Sequence, residues 1–333
     1  MFLLKGKKSM KKLEIIMPHY NEDWSIVRPF FDMLSCQRGI DFSDLRVHII
    51  HDGSEPFPKK HFANVPCTVV QTKIPHKGVS AARNYGIDHA DAKWVCFCDC
   101  DDMYTSPYAL KFVFDVLGTD KHDILWGGFL MESRGANGIE LQTHDKYDLV
   151  WIHNKYYRLG FLKDKNLHFC EDLYMSEDSA FNAIANVFTS TERIGHIKSP
   201  TLLYTWCWRE GSVTLDPKRV LSNMIGHFNR NLYVLNKFRE YAYPDADLQA
   251  GRTLTDAYVN LTRSDLPEGW EEFRDMVRDF IIREANALNR ISKDDMHRIL
   301  NASEREAESG KFLNPDRPAL KNWIRIIARC KNG

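Results

Sequence analysis

Three carboxylates fall within four residues, at Asp99, Asp101 and Asp102, directly after the apolar run 94–98. At neutral pH, like charges at this spacing repel each other unless a cation shares them. Carboxylate oxygens are the ligands that Mg²⁺ and Mn²⁺ prefer. The spacing therefore predicts a divalent metal site. The alternative is that Asp101 and Asp102 only cap a helix that begins near Thr105.

Two other acidic pieces of the sequence could carry chemistry. Asp52 opens an Asp-Gly-Ser sequence, which suits ligand contact but is also common in turns. Glu177 and Asp178 follow Ser176, so they could begin a helix, where the helix dipole lowers a carboxyl pKa. A general base that works near neutral pH needs a raised pKa instead. The sequence leaves both interpretations of this pair open.

Several common site signatures are missing from the chain. There is no G-x-G sequence for a dinucleotide fold and no G-K-[ST] sequence for a P-loop. Neither HExxH nor CxxC occurs, so zinc chemistry has no support. Lys plus Arg and Asp plus Glu each total 45, and the resulting net charge of +0 provides no field for nucleic acid. Dehydrogenases, P-loop nucleotidases, zinc enzymes and nucleic-acid-binding proteins are therefore disfavoured.

The apolar segments and the cysteines indicate a compartment. No apolar run approaches the roughly 20 residues of a spanning helix, which argues against an integral membrane synthase. The opening residues, MFLLKGKKSMKK, lack the apolar core of a secretory signal, so we expect a cytoplasmic protein. Cys96, Cys98 and Cys100 alternate within one predicted strand, and we interpret them as buried packing in a reducing compartment.

The periodicity of the chain changes from mixed to helical. From Leu13 to about Cys98, short β-rich runs alternate with helical stretches, which is typical of a parallel sheet covered by helices. The predicted strands are 13–17, 46–50, 68–72, 94–98 and 123–129, and the predicted helices of this half are 25–35 and 79–89. A glycine-rich turn at 135–138 indicates added antiparallel strands. From about Asp216 the predicted helices are 217–241, 248–261, 269–291 and 293–309.

These elements define the predicted architecture. We expect a basic tail at 1–12, a Rossmann-like α/β domain with a mixed, mainly parallel sheet at 13–215, and an all-helical region at 216–333. Parallel strands present ligand-binding loops at their carboxyl ends. The polar loops after the first, second and fourth strands should therefore converge.

Five segments, in order, resemble the inverting glycosyltransferase family two, whose catalytic domain has the GT-A fold. They are 16–22 (IMPHYNE), 49–54 (IIHDGS), 78–87 (GVSAARNYGI), 97–102 (FCDCDD) and the acidic stretches 169–171 and 176–181 (FCE and SEDSAF). The likeness spans about residues 13–215. The sequence departs from the family pattern at His51, where the family usually has another acid or an apolar residue. The Gln-x-x-Arg-Trp sequence of polymerising synthases is also missing, and residues 204–209 read YTWCWR instead. A non-processive enzyme is therefore favoured.

The resemblance implies a metal and a base. By it, Asp101 would ligate Mn²⁺ or Mg²⁺ bridging the donor diphosphate, and Asp99 would contact the ribose directly or the metal through water. Asp178 would be the general base that deprotonates the acceptor hydroxyl. Glu177 and Glu171 are the less favoured candidates for that role.

The resemblance also implies a UDP-sugar donor. Asp52 would accept a hydrogen bond from uracil, and Tyr20 with the Pro18 backbone would pack against the base and ribose. Glu22 belongs to the same nucleotide-binding set. Arg83 would lie near the nucleotide or stabilise its loop.

Three more residues are candidates for acceptor or diphosphate contacts. Asp102 would reach the acceptor or cap the following helix. Trp208 and Arg209 could close over the diphosphate once donor is bound, although a strand aromatic and a surface cation would look the same in sequence.

The sequence is compatible with several acceptors and partners. Surface polysaccharide, lipid-linked glycan, protein and modified nucleic acid all suit the domain, with a glycan or lipid-linked acceptor preferred. The apolar and basic residues of 317–329 segregate at helical spacing, which suits either peripheral membrane contact or packing on the chain's own domain. A nucleotide-sugar-binding protein that no longer turns over is the rival function. A sugar nucleotidyltransferase is disfavoured because its glycine-rich opening loop is absent.

Overall fold

The computed structural model describes residues 10–118, 121–135, 138–145, 150–209, 219–309 and 313–329, with only the backbone at 306–309. The described residues fall into two compact units. One takes in 1–172 and 177–212, and the other takes in 173–176 and 213–333. Most of the predicted basic tail and the predicted boundary at 215 lie outside the described residues.

The first unit is built on a mixed seven-stranded sheet, with strand order β10-β6-β9-β4-β1-β2-β3. Its strands are β1 (Lys11–His19), β2 (Leu45–Asp52), β3 (Thr68–Ile74), β4 (Ala92–Phe97), β6 (Ile124–Trp126), β9 (Lys155–Arg158) and β10 (Ile194–His196). The β4-β1-β2-β3 half is parallel, whereas β9 runs antiparallel to both β4 and β6. The predicted α/β class with a mainly parallel sheet is confirmed.

A smaller sheet of four strands, ordered β5-β11-β7-β8, adjoins this arrangement in the same unit. It contains β5 (Met103–Tyr104), β7 (Phe129–Gly135), β8 (Gly138–His144) and β11 (Tyr204–Trp206). The prediction of a single strand at 123–129 is wrong. The strand is interrupted at Gly127 and Gly128, and the strands on either side, β6 and β7, belong to different sheets. The Asn154 side chain lies so close to Gly127 that a Cβ there would meet it at 2.2 Å. The tip of the predicted turn at 135–138 lies outside the described residues.

Helices cover both faces of the large sheet. They are α1 (Trp24–Ser35), α2 (Val79–His89), α3 (Ala109–Leu117), α4 (Leu159–Asp164) and α5 (Glu177–Val187), with short 3-10 turns at Phe42–Asp44, Lys59–Phe62 and Thr191–Arg193. Strands covered on both faces become nearly continuous apolar runs, and β1 is buried from Leu13 to His19. Cys96, Cys98 and Cys100 are all buried in this core, as predicted. Their predicted placement within one strand is wrong, because β4 ends at Phe97 and contains only Cys96.

The second unit is helical. Its helices are α6 (Val220–Glu240), α7 (Ala246–Leu261), α8 (Trp270–Arg283), α9 (Ala285–Arg290), α10 (Lys293–Ser309) and α11 (Leu320–Arg329). The continuous helix predicted at 269–291 is wrong, because it is interrupted at Glu284. That carboxylate is buried and accepts a 3.0 Å hydrogen bond from Arg239.

The amphipathic segment near the end of the chain forms α11, which contacts α7 and α8. Its Trp323 and Ile327 are buried in the helical core. The apolar stripe of 317–329 thus packs on its own unit. Among the described helices, none is both long and apolar enough to cross a bilayer.

Candidate active site

The site forms where three neighbouring parallel strands end. In the order β4-β1-β2 these strands lie side by side, so the loops that follow Phe97, His19 and Asp52 emerge at one edge of the sheet. This is the edge at which α/β sheets bind ligands. The convergence predicted from the sequence is confirmed for these three loops.

Arg83 joins the two acidic segments of the site. It projects from α2, is 3% exposed, and donates from Nη2 to Asp99 Oδ1 at 2.9 Å and from Nη1 to Glu177 Oε1 at 2.7 Å. Its guanidinium also lies 5.3 Å from the centre of the Phe169 ring. The end of β4 is thereby tied to the first turn of α5. Arg83, predicted to lie near the nucleotide or to stabilise its loop, links these two segments.

The cluster after β4 holds more negative charge than this arginine balances. Burial opposes ionisation of Asp99, yet the charge of Arg83 holds its pKa below the usual value. Burial and the repulsion of Asp99 raise the pKa of Asp101. Burial and both neighbouring aspartates raise the pKa of Asp102 well above its usual value. This excess charge is what a bound divalent cation would neutralise.

Asp178 differs electrostatically from an ordinary carboxylate at a helix start. Burial, followed by repulsion from Glu177, raises its pKa to about 7 although Arg83 opposes the shift. One Asp178 oxygen, Oδ1, accepts a 2.6 Å hydrogen bond from the backbone of Ser179. The environment therefore overrides the helix dipole, and Asp178 can exchange a proton near neutral pH.

Arg209 lies over the outer side of the cluster. Its Nε hydrogen-bonds to Asp101 Oδ2, and its Nη2 lies 3.3 Å from Glu22 Oε1. The other Glu22 oxygen accepts the backbone N–H of Tyr20 at 2.8 Å. One arginine from the 204–209 segment thus links the acidic cluster to the loop after β1. The neighbouring Trp208 donates its backbone N–H to Glu132 at 3.0 Å.

Asp102 is the most deeply buried of the three aspartates that follow β4. It is 1% exposed, and its two oxygens accept hydrogen bonds from the Tyr204 hydroxyl at 2.6 Å and the Cys207 backbone at 3.0 Å. One ligand atom each from Asp99, Asp102 and His153 lie within 4.8 Å of one another. Oxygen and imidazole ligands at this spacing fit a divalent cation, as does the partly exposed Asp101 beside them.

The nucleotide side of the site is formed by two loops. The Asp52 carboxylate accepts hydrogen bonds from His76 Nδ1 at 2.8 Å and from the backbones of Lys77 at 2.7 Å and Gly78 at 2.8 Å. A uracil contact would use the lone pair that these three donors leave. The Tyr20 ring is 49% exposed and stacks on His76 with ring centres 4.2 Å apart. The Pro18 carbonyl belongs to the buried end of β1.

Local sequence patterns missed several of these contacts. His76, His153 and Tyr204 gave no signal, because each meets its carboxylate partner across 24 to 102 residues of sequence. Only the polar character of the loop after β3 could have indicated His76.

The fold and the site together define a GT-A type α/β transferase. A profile of the family described as "Glycosyl transferase family 2" matches residues 14–181, about half of the chain. The chain belongs to this family, as the sequence resemblance predicted.

Two bacterial proteins are among the relatives of this chain. The minor teichoic acid biosynthesis protein GgaB of Bacillus subtilis is 22% identical over 251 residues, which is 69% of this chain and 27% of that protein. The poly(ribitol-phosphate) β-N-acetylglucosaminyltransferase TarS of Staphylococcus aureus is 24% identical over 214 residues, which is 59% of this chain and 35% of that protein. The chain thus spans only a minor part of either relative.

One solved structure supports the fold. The crystal structure of residues 1–349 of S. aureus TarS has a TM-score of 0.50 and 18% identity, covering 92% of this chain and 98% of that chain. At this identity the match concerns the fold alone.

The Arg83 bridge generates a stability prediction. Arg83→Met leaves Asp99 and Glu177 without their buried partner, so the free energy of unfolding should fall by about 3–5 kcal/mol near pH 7. Because Arg83 lowers the Asp99 pKa, this stabilisation is present above the unfolded carboxyl pKa and is lost as the pH falls. The difference between variant and parent should therefore shrink toward about pH 4. Urea denaturation at several pH values measures it.

The matched control is Arg28→Met, which removes an exposed arginine 3.2 Å from Asp32. An exposed pair contributes about 0–1 kcal/mol, so this variant should unfold nearly like the parent. Equal effects of the two substitutions would contradict the bridging role of Arg83.

Proposed function

We propose that the chain is a metal-dependent, inverting, non-processive glycosyltransferase that moves a hexosyl or N-acetylhexosaminyl group from a UDP-sugar to an acceptor hydroxyl. The reaction would serve glycan or polysaccharide assembly. We assign catalysis to residues 13–215. The alternative is an inert nucleotide-sugar-binding protein of the same fold.

One observation carries the proposal. Asp178, with a pKa raised to about 7, lies in the same electrostatic cluster as the aspartates after β4, and Arg83 connects the segments that present them. Sugar transfer needs both a group that takes the hydroxyl proton and a site that binds the leaving diphosphate. A binding protein would need no base with this pKa.

The proposed donor is a uridine diphosphate sugar. The support is that Asp52 and the exposed Tyr20 ring, which follow β2 and β1, both contact His76. TarS carries β-N-acetylglucosaminyltransferase in its name, which favours an N-acetylhexosamine. Glu22 and Arg209 would border the diphosphate.

A divalent cation, Mn²⁺ or Mg²⁺, fits the cluster. Asp101 would hold it, with Asp99 contacting it through water or binding the ribose, and Asp102 with His153 lying behind them. When bound, such a cation offsets the charge that develops on the diphosphate leaving group. Arg209 pairs with Asp101 in this structure, and we propose that it turns to the diphosphate on donor binding.

The chain's own groups account for the remaining chemistry. Asp178 would accept the proton from the acceptor hydroxyl as that oxygen attacks the anomeric carbon. Glu177 is less suited, because Arg83 already holds its carboxylate at 2.7 Å. One base and one direct displacement invert the anomeric configuration.

The names of GgaB and TarS favour a glycan acceptor that carries phosphate, as teichoic acids do. Protein and modified nucleic acid stay as alternatives. We assign no chemistry to residues 216–333. Peripheral membrane contact through α11 would have to use side chains other than Trp323 and Ile327, because these two are buried.

The base assignment predicts a loss of rate without a loss of binding. Asp178→Asn keeps size and hydrogen bonding, so UDP affinity should persist while the transfer rate falls by about 10²–10⁴-fold. In the parent, the ionised carboxylate is the active form. The rate should therefore rise with pH through about 7 and then level off. UDP-release kinetics and UDP titration measure the two effects.

Asp115→Asn, which alters an exposed carboxylate of α3, is the control and should retain parental rates. Transfer by Asp178→Asn within about threefold of the parent would contradict the assignment. A parent that binds UDP but transfers no sugar to any acceptor tried would favour the inert alternative.

The metal assignment predicts coupling between Mn²⁺ and UDP. Isothermal titration of the parent should show Mn²⁺ tightening UDP binding by at least about tenfold, since a metal contributes several kcal/mol of charge stabilisation. Asp101→Asn should abolish the coupling, whereas Asp88→Asn in α2 should preserve it. Coupling that survives in Asp101→Asn would instead place the cation on Asp99, Asp102 and His153.

A further inference from the structure

Two buried histidines lie beneath the loop that follows β1. His51 Nδ1 and His19 Nδ1 are 2.9 Å apart, and both side chains are at most 3% exposed. The outer nitrogen of His51, Nε2, lies 2.9 Å from Gln71 Oε1, and the outer nitrogen of His19 lies 2.9 Å from the Glu22 carbonyl. A series of three contacts thus runs from Gln71 in β3, through the two histidines, to the loop at 20–22.

The groups at the two ends of this series of contacts can only accept hydrogen bonds. The Glu22 group is a backbone carbonyl. The orientation of Gln71 is fixed by Phe57, whose N–H donates to Gln71 Oε1 at 2.8 Å and whose carbonyl accepts from Gln71 Nε2 at 3.0 Å. The amide therefore presents its oxygen to His51, and each outer imidazole nitrogen must carry a hydrogen.

The central contact requires one more hydrogen. Two neutral imidazoles carry two N–H groups in total, and the two ends of the series use both. The Nδ1 atoms of His19 and His51 would then face each other with lone pairs at 2.9 Å, which is repulsive. For all three contacts to be hydrogen bonds, the two rings must together carry three N–H hydrogens. The pair of rings then has one positive charge.

The surroundings indicate which ring carries that charge. Burial and the proximity of His19 lower the pKa of His51 to about 4, against the pull of Gln71 and Glu55, with Lys73 acting in the same direction as burial. His51 is therefore neutral and accepts at Nδ1. The Glu22 carboxylate lies 3.9 Å from His19 Nε2 and places a negative group beside that ring. The Phe57 ring packs at 4.6 Å against His19 and shields the pair.

We propose that His19 and His51 share one buried proton and, as positioning residues, hold the 20–22 loop in its donor-binding position. The donor-binding half of this inference rests on the proposed function. The protonated pair fixes the Glu22 carbonyl from below. The Glu22 carboxylate in turn holds the Tyr20 N–H and contacts Arg209, so the ring proposed to meet the base and the cation proposed to meet the diphosphate both depend on it.

Nitrogen NMR on the full chain labelled with ¹⁵N-histidine tests the shared proton. His19→Gln and His51→Phe assign the two rings by their missing signals. At neutral pH, His19 should show two protonated nitrogens and His51 a neutral ring protonated at Nε2. Two neutral rings in the parent would overturn the inference, and this result does not depend on the function of the chain.

UDP titration tests the positioning role. In His51→Phe, the His19 ring should become neutral and keep only its hydrogen bond to Glu22. UDP affinity should then fall by roughly two- to tenfold, which corresponds to the net free energy of one hydrogen bond. His48→Gln is the control. His48 is a buried histidine of the same strand that contacts Glu14 and Thr72 instead, and its variant should bind UDP within about twofold of the parent.

Parental UDP affinity in His51→Phe, with His19 neutral, would overturn the positioning role. Failure of the parent to bind UDP would refute the proposed function, while the NMR result would still decide the protonation of the pair.

Discussion

The site depends on one buried interaction, the double ion pair of Arg83 with Asp99 and Glu177. The guanidinium is almost inaccessible, and each of its two terminal nitrogens binds one carboxylate, at 2.9 and 2.7 Å. Leaving any member of such a set unpaired in the interior is costly, so the three segments that carry them must stay together. The separation between the proposed metal-binding aspartates and the proposed base is thus fixed by an arginine that need not touch the substrate.

The balance of charge around this bridge explains how the carboxylates differ. Arg83 binds both Asp99 and Glu177, and its charge holds the pKa of Asp99 below the usual value. Asp102 and Asp178 are buried and Asp101 is half-buried, and burial together with the neighbouring carboxylates raises the pKa of all three. On the proposed function, one cluster would thereby provide carboxylates for a cation and a carboxylate for a proton. The Arg209 side chain is 39% exposed, so it can move away from Asp101 more readily than the buried Arg83 can move from its partners.

Much of this arrangement could be predicted from the sequence. The parallel strands, α2 with its bounds and the convergence of three loops follow from periodicity and from acids placed directly after strands. The long-range partners could not be predicted, because Arg83 meets Glu177 across 94 residues and Tyr204 meets Asp102 across 102. His51, a departure from the family pattern, gained a physical explanation only when β1 and β2 placed it against His19. The raised pKa of Asp178 likewise comes from tertiary burial, which no local pattern encodes.

The anomeric configuration of the product tests the central claim most directly, because it reports on the number of displacements and on the base together. The enzyme would be incubated with Mn²⁺, UDP-N-acetylglucosamine and a poly(ribitol phosphate) acceptor, and the new linkage would be assigned by proton NMR. A single displacement assisted by Asp178 predicts a β-linked product from the α-linked donor. An α-linked product would contradict the proposed base and the direct displacement alike.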